Sequence, residues 1–329
     1  MDAVNAPDMT IDKSRADLYT SLGRIQVGMS HALLTLDQAS SLAVAKYDRP
    51  VITNYRLGVL LFRMLKAGGV DGQRLRRPVT PSRRHYRDAV KFLTSFGVLA
   101  EVRDVAQGSV FTVLGRSSVS APEIACTADP FAYVSHLSAM ELHGLTDRVS
   151  QTLNLSTPAP KDWTGAALGL MQRDLGEQLP DYEDAGFPRL MRTRMEKLMG
   201  RPVHITHSVQ LGAFRKTPDS EVRVATVGRT FLDMLREPAL CGGIHHVLSV
   251  YREHASRYLN LIAGEVDQHG GAIDRVRAGY VLEEVCGLQH PSFETWLKSV
   301  ARGGSRKLVA ANEYSSTYSE RWALSLNAD

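Results

Sequence analysis

The densest apolar run of the chain follows Thr53. There Asn54-Tyr55-Arg56-Leu57-Gly58-Val59-Leu60-Leu61-Phe62-Arg63-Met64-Leu65-Lys66 carries hydrophobic residues on nearly every side, and Gly68-Gly69 supplies a stop. The pattern predicts a mostly buried helix. After an irregular basic stretch, Thr80 stands as a candidate N-cap, with Pro81 where the first turn tolerates a missing N–H, so a second helix is expected from Pro81. At about 100° per residue, Tyr86, Ala89, Val90, Leu93 and Phe96 gather on one side of it, while Arg83, Arg84, Arg87 and Lys91 share a sector away from them. One face is set to pack and the other is cationic. Gly97 ends this helix. Val98 to Val102 and Ser109 to Leu114 then read as two strands joined through Gly108, a hairpin.

The flanking regions are less sharply patterned. Ile25 to Lys46 has alanine- and leucine-rich helical character, notably Ser30 to Leu36 and Ala39 to Ala45, and the first dozen residues are expected to fray. Ser117-Ser118-Val119-Ser120-Ala121-Pro122 is small, polar and closed by proline, the composition of a linker. Beyond it, Phe131 to His143 predicts a helix stopped by Gly144, and Thr152 to Ser156 alternates like a strand. Residues 159–186 form an excursion. Val203 to His207 and Glu221 to Thr226 predict strands, and Arg229 to Arg302 is almost wholly helical. Helices and strands segregated along the chain predict an α+β fold. The expected division is a flexible or helical extension (1–30), a compact first domain (31–116), a linker (117–122) and a larger α+β domain (123–329).

The 329 residues are 43% hydrophobic and 22% charged, a composition that excludes global disorder. No stretch approaches the roughly 18–20 apolar residues of a bilayer span, and Met1 to Lys13 is polar, so no export signal and a cytoplasmic location are expected. Cys126, Cys241 and Cys286 are too few and too far apart for a disulfide framework or a CxxC pair. The net charge is only +4, but Tyr55 to Arg103 holds eleven basic against three acidic residues, a local +8 that leaves −4 for the remainder. A basic segment joined to a mildly acidic body is the footprint of a nucleic-acid-binding module, with a merely solvated face as the alternative. Helix, basic turn, basic amphipathic helix and hairpin together spell a winged helix-turn-helix, a fold that also serves protein contacts. Ser82, Arg83, Arg84 and Arg87 are the expected groove-reading residues, and Lys91, Arg103 and Arg116 the phosphate contacts.

The second half offers little reactive chemistry. Cys241, His245, His246 and His254 lack the second half of a metal-binding pattern, and His204 and His207 fall on opposite faces of their strand, so neither a metal nor a cofactor is expected. Asp233 and Glu237 are flanked by Arg229 and Arg236, which favours a salt-bridged helix over acid–base work, and the chain does not read as an enzyme. Arg302-Gly303-Gly304-Ser305-Arg306-Lys307 has neither an Asp-x-Asp pair after it nor a phosphate-loop Gly-Lys-Ser/Thr ending. Its cations Arg302, Arg306 and Lys307 form a candidate surface for an anionic partner, against a plain helix end with solvated charges.

Three further segments carry a family likeness: Ala132 to Thr146 (AYVSHLSAMELHGLT), Arg229 to Pro238 (RTFLDMLREP) and Cys241 to Leu248 (CGGIHHVL). With the winged segment in front, the chain resembles, over roughly residues 30–327, the AbiEi-type antitoxin and transcriptional regulator family of type IV toxin–antitoxin systems, which includes the MenA-type antitoxins. The resemblance implies a protein whose first domain binds inverted repeats in its own promoter and represses the operon. It also implies that the second domain opposes a nucleotidyltransferase-like toxin encoded alongside. By the same resemblance Arg229, Thr230 and Asp233 are a family hallmark, for which an architectural role, Arg229 bridging to Asp233 across one helical turn, is the favoured reading. The alternatives are a stand-alone winged-helix regulator with a ligand-sensing or assembly domain and, further off, a nucleic-acid-processing enzyme.

Overall fold

The computed structural model describes residues 33–116, 119–208, 213–218, 220–300 and 306–328; the expected extension over 1–30 lies outside them. Thr35 starts α1 (Leu36–Ala45) with a reciprocal cap. Its hydroxyl accepts from the Gln38 N–H at 3.2 Å while the Gln38 side chain accepts from the Thr35 N–H at 3.0 Å. A short buried strand, β1 (Val51–Thr53), follows, and Thr53 then caps α2 (Asn54–Lys66), the expected apolar helix. Asp71 and Gly72, at φ +57° and +76°, make the tight turn between β2 (Gly69–Val70) and β3 (Gln73–Arg74), since this hairpin geometry needs positive φ at both central residues.

The basic helix, α3, spans Arg83–Ser95 and so begins two residues later than the sequence predicts. Ser82 is extended at φ −152° and occupies the cap position, its hydroxyl 2.9 Å from Nδ1 of His85, so Thr80 and Pro81 stay in the preceding loop. Ala89 and Leu93 are buried as expected, whereas Phe96 is 58% exposed, its ring tilted against that of Phe92 at 4.5 Å. The hairpin forms as β4 (Leu99–Glu101) and β5 (Val110–Val113), and β1 pairs antiparallel with the free side of β5 to give the order β1-β5-β4.

Of the expected linker, Ala121 and Pro122 are the first turn of a helix, α4 (Ala121–Ala128), because Ser120 caps it and proline is tolerated there. The expected Phe131–His143 helix is shorter. Tyr133–Val134 form strand β6, Ser135 is extended, and α5 runs His136–Leu142. β7 (Leu153–Pro158) is buried along its whole length and lies in mid-sheet. The excursion 159–186 is two helices, α6 (Pro160–Leu175) and α7 (Leu179–Asp184). The chain returns through β8 (Lys197–Leu198), β9 (Arg201–Ser208), β10 (Phe214–Lys216) and β11 (Arg223–Ala225). Among the described residues the larger sheet has six strands in the order β10-β11-β6-β7-β9-β8, of mixed direction, with β7 and β9 parallel. Helices α8 (Val227–Arg236), α9 (Ile244–His269), α10 (Ala272–Tyr280) and α11 (Ser292–Leu297) then pack together around Phe231, Tyr251, Trp296 and Trp322. The chain is thus a mixed α and β protein, and no described helix is long and apolar enough to cross a membrane.

Two apolar cores run across the sequence position where the domain boundary was expected. One joins Tyr55, Leu61 and Phe62 of α2 to Trp163, Met171 and Leu175 of α6 and to Tyr182, Phe187 and Leu190. Tyr182 meets Phe62 edge-on at 5.2 Å, and its ring occupies space that exists because residue 58 is glycine. A β-carbon there would lie 2.5 Å from the Tyr182 hydroxyl. The other core places Val51, Val102 and Val110 against Ile124, Leu153, Leu155, Met195 and Leu198. Within the second half, buried Asp129 at the end of α4 ties that helix to β7 and α6, accepting from Thr157 Oγ1 at 2.7 Å and Trp163 Nε1 at 2.9 Å. The Arg223 guanidinium donates to the backbone carbonyls of Cys126, Asp129 and Ala132 around the end of α4.

Residues 33–116 prepared alone would therefore expose the surfaces that Trp163, Met171, Tyr182 and Phe187 cover, and chemical denaturation of that fragment will lack a cooperative transition. In the full chain, Tyr182→Ala will cost about 3–5 kcal/mol of stability, read as a lowered urea midpoint.

Candidate nucleic-acid interface

The apolar positions of α3 turn Ala89 and Leu93 toward α1 and α2, which leaves Arg83, Arg84, Arg87 and Lys91 exposed along the opposite side. The nearest acid is on the same helix: Asp88 Oδ2 lies 3.5 Å from Arg84 Nε, a solvated i,i+4 contact worth a few tenths of a kcal/mol. Arg103 is exposed on the β4–β5 hairpin. Two expected contact residues are already engaged. The Ser82 hydroxyl is held by His85, and Arg116 donates back to the Ala45 carbonyl at the end of α1.

The charge of the basic segment is redistributed by residues more than a hundred positions away. Arg56 Nη1 pairs with Asp174 Oδ2 at 3.0 Å, Lys66 Nζ with Asp181 Oδ2 at 2.7 Å, and Arg63 donates to the Asp174 backbone carbonyl. Asp174 also accepts from the Tyr55 hydroxyl at 2.9 Å, and that bond adds to burial in pushing the phenol pKa up. Three cations of the basic segment are therefore turned toward α6 and α7. The positive surface narrows to α3, the Arg74, Arg76 and Arg77 loop before it, and Arg103, all exposed.

The sequence reading also missed a second basic stretch. From Phe187, whose ring lies 5.7 Å from Tyr86 of α3, the chain runs through Arg189, Arg192, Arg194 and Lys197 to Met199. The Met199 N–H donates to Asp104 Oδ2 in the hairpin turn at 2.7 Å, so this stretch connects the start of α3 to the hairpin. Gly186 sits against the stem of Arg83, where a β-carbon would come within 3.3 Å. The alternating arginines were legible; their destination was set by the Tyr182–Phe187 packing and was not.

The remaining expected residues lie elsewhere. Arg302 is outside the described residues. Arg306 Nη1 donates to the carbonyls of Ser299 and Ala272 at 2.8 and 3.1 Å, holding the C-terminal segment to the start of α10 and the end of α11, and Lys307 Nζ donates to that of Asn312 at 2.8 Å within the segment itself. Cys241 is buried and His246 Nε2 lies 3.0 Å from Thr146 Oγ1; among the described residues no group of three or more His, Cys, Asp or Glu is placed to hold a metal. Arg229 Nε bonds Asp233 Oδ1 at 2.8 Å with both side chains buried, and the Thr230 hydroxyl donates to the Thr226 carbonyl at 2.9 Å. Burial pushes the Asp233 carboxyl up to about 6 even though Arg229 and Arg236 pull it down.

No protein-family model and no curated protein matches the chain. Among solved structures, the RV2827C protein from Mycobacterium tuberculosis is similar over 91% of this chain and 94% of its own, with 14% identity and a TM-score of 0.43.

A carboxyl whose folded pKa is raised binds a proton more readily in the folded state, so its contribution to stability is greatest below the unfolded value near 4 and disappears as the pH rises through about 6. The stability difference between wild type and Asp233→Asn, followed by urea denaturation, will accordingly fall by on the order of 2–3 kcal/mol between pH 4 and pH 6.5. A flat difference would show that Asp233 titrates like a free carboxylate.

Proposed function

We propose that the chain is a double-stranded-DNA-binding transcriptional repressor, and that it is the antitoxin of a type IV toxin–antitoxin pair that represses its own operon. The exposed cationic face of α3 carries the first part. Four basic side chains on one side of a helix whose other side is packed form a surface that neutralises phosphates and enters a major groove. The order helix, strand, helix, helix, hairpin, with β1 closing against β5, supports a winged helix-turn-helix over residues 33–116. In that arrangement α3 is the recognition helix, reading bases with Arg83, Arg84 and Arg87, and Lys91 and Arg103 reach phosphates. Ser82 occupies the N-cap position, its hydroxyl held by His85. The antitoxin assignment and its nucleotidyltransferase-like partner rest on the AbiEi-type likeness of residues 132–146, 229–238 and 241–248.

A second reading, a stand-alone regulator that senses a ligand, is favoured by a polar cavity beneath α8 lined by Ser156, Thr206, Arg229 and Asp233 among others. The genetic neighbourhood separates the two, since an adjacent nucleotidyltransferase gene whose toxicity this chain relieves on co-expression belongs only to the antitoxin.

Mobility shifts on the upstream promoter across a salt series will give specific binding whose logarithm falls linearly with log salt, by about 0.9 per phosphate neutralised. Arg83→Ala/Arg84→Ala/Arg87→Ala will abolish promoter specificity and reduce that slope by about 2–3, while the melting midpoint stays within a degree or two because the side chains are exposed. Retained specific binding would remove α3 from the interface.

A further inference from the structure

The two faces of the larger sheet differ in chemistry. β7 and β9 run parallel with Leu153 opposite Val203 and Leu155 opposite Ile205, and these side chains enter an apolar core. The period of two along a strand sends Ser156 and its partner Thr206 to the other face, beneath α8 and the start of α5. A cavity of about 330 Å³ lies there, and every residue lining it is polar or charged.

The polar groups around this cavity are incompletely matched by one another. Arg229, 4% exposed, spends Nε on Asp233 Oδ1, but its Nη1 has no hydrogen-bond partner within the protein, Glu265 Oε1 standing 3.8 Å away. Asp233 Oδ2 and Thr206 Oγ1 are likewise buried without a hydrogen-bond partner. Each such group costs about 1–3 kcal/mol, and the cost recurs here in three side chains that line one cavity. His136 at its edge is held at φ +50°, a left-handed conformation that costs a residue bearing a β-carbon about 1–3 kcal/mol. Its Nδ1 is fixed by Ser135 Oγ at 2.8 Å and its Nε2 faces Glu237 Oε2 at 3.6 Å.

Charge and size narrow the occupant. The wall presents both signs, Arg229 and Arg236 against Asp233 and Glu237, so a ligand of one net sign meets as much opposition as attraction. An apolar ligand would leave Arg229 Nη1, Asp233 Oδ2 and Thr206 Oγ1 unmatched. At about 30 Å³ per water, 330 Å³ has room for on the order of ten non-hydrogen atoms, the size of a small metabolite. We propose that this cavity binds a small polar α-amino acid, its carboxylate received by Arg229 and the Thr206 hydroxyl and its ammonium by Asp233 and Glu237. The two charges of the zwitterion then complete the guanidinium, the hydroxyl and the carboxylate that the fold leaves unmatched. This assignment is independent of whether the chain binds DNA.

The test is calorimetric titration and thermal melting of the full-length protein with L-serine, L-threonine, L-asparagine and L-aspartate, with ethanolamine and glycerate as the serine analogues lacking one charge each. At least one amino acid will bind and raise the melting midpoint, and removing either charged end will weaken binding tenfold or more. Thr206→Val, which keeps the shape of the side chain, will weaken binding tenfold or more with an unchanged circular dichroism spectrum, and Asp233→Asn will abolish it. If Asp233→Asn does not fold, the Thr206→Val comparison decides alone. Failure of all four amino acids to bind would overturn the proposal. So would glycerate or inorganic phosphate binding as tightly as serine, since the cavity would then be an oxyanion site, and so would undiminished binding to Thr206→Val.

Discussion

Tyr182 and Phe187 fill the space between α2 and α3, and both rings reach across more than ninety residues of sequence to do so. Each contributes about 2–3 kcal/mol of apolar burial, and the edge-on contacts with Phe62 fix their orientation. Much else follows from that packing. It brings Asp174 and Asp181 against Arg56, Arg63 and Lys66, so these three cations, though still exposed, have partners on α6 and α7. It lays Gly186 on the stem of Arg83 at the start of α3. It also launches the basic stretch that ends on Asp104 of the hairpin, so the helix and the hairpin are held to the same piece of chain.

Where a segment's structure depends on its own residues, the sequence was readable. The apolar run after Thr53, the two-faced spacing of α3 and the alternation of β7 and β9 each carry their answer locally. β1 was not readable, because Val51–Thr53 is too short for a period of two to declare itself and Thr53 also serves as a helix cap. The start of α3 moved because a serine bonded to His85 outcompeted a Thr-Pro pair for the cap. In α6 the stripe Trp163, Ala167, Met171, Leu175 is spaced by four along the chain, so a helix was legible in what looked like an excursion. Its partner, the opposite half of the molecule, was not. The same limit applies to charge: counting Arg56, Arg63 and Lys66 as free assumed that no distant acid would meet them.

The candidate site in the second half was half visible in a similar way. Arg229 and Asp233 are one turn apart in any helix, and their ion pair could be expected from spacing alone. Their position beneath the hydroxyl-bearing face of a sheet could not, because it depends on the register that sets Ser156 beside Thr206. A salt bridge that fills all its bonding positions is architecture. One that leaves a guanidinium nitrogen and a carboxylate oxygen buried without hydrogen-bond partners beside a polar cavity holds its partners in readiness for something else.

Tyr55 and Asp174 are 119 residues apart, and that interval also has a duration. At about 5–20 residues per second, a ribosome needs roughly 6–24 s to pass from one to the other, whereas an isolated helix equilibrates in about a microsecond. During synthesis α2 and α3 thus have ample time to form and dissolve before the rings that seat them exist. The cationic face acquires its final orientation only after residue 187 has been made, just past the midpoint of the 329 residues, and a nascent chain stalled before that point presents an open apolar surface in place of a finished one. Synthesis of the segment carrying Tyr182 and Phe187 is the step that commits the first half to its shape.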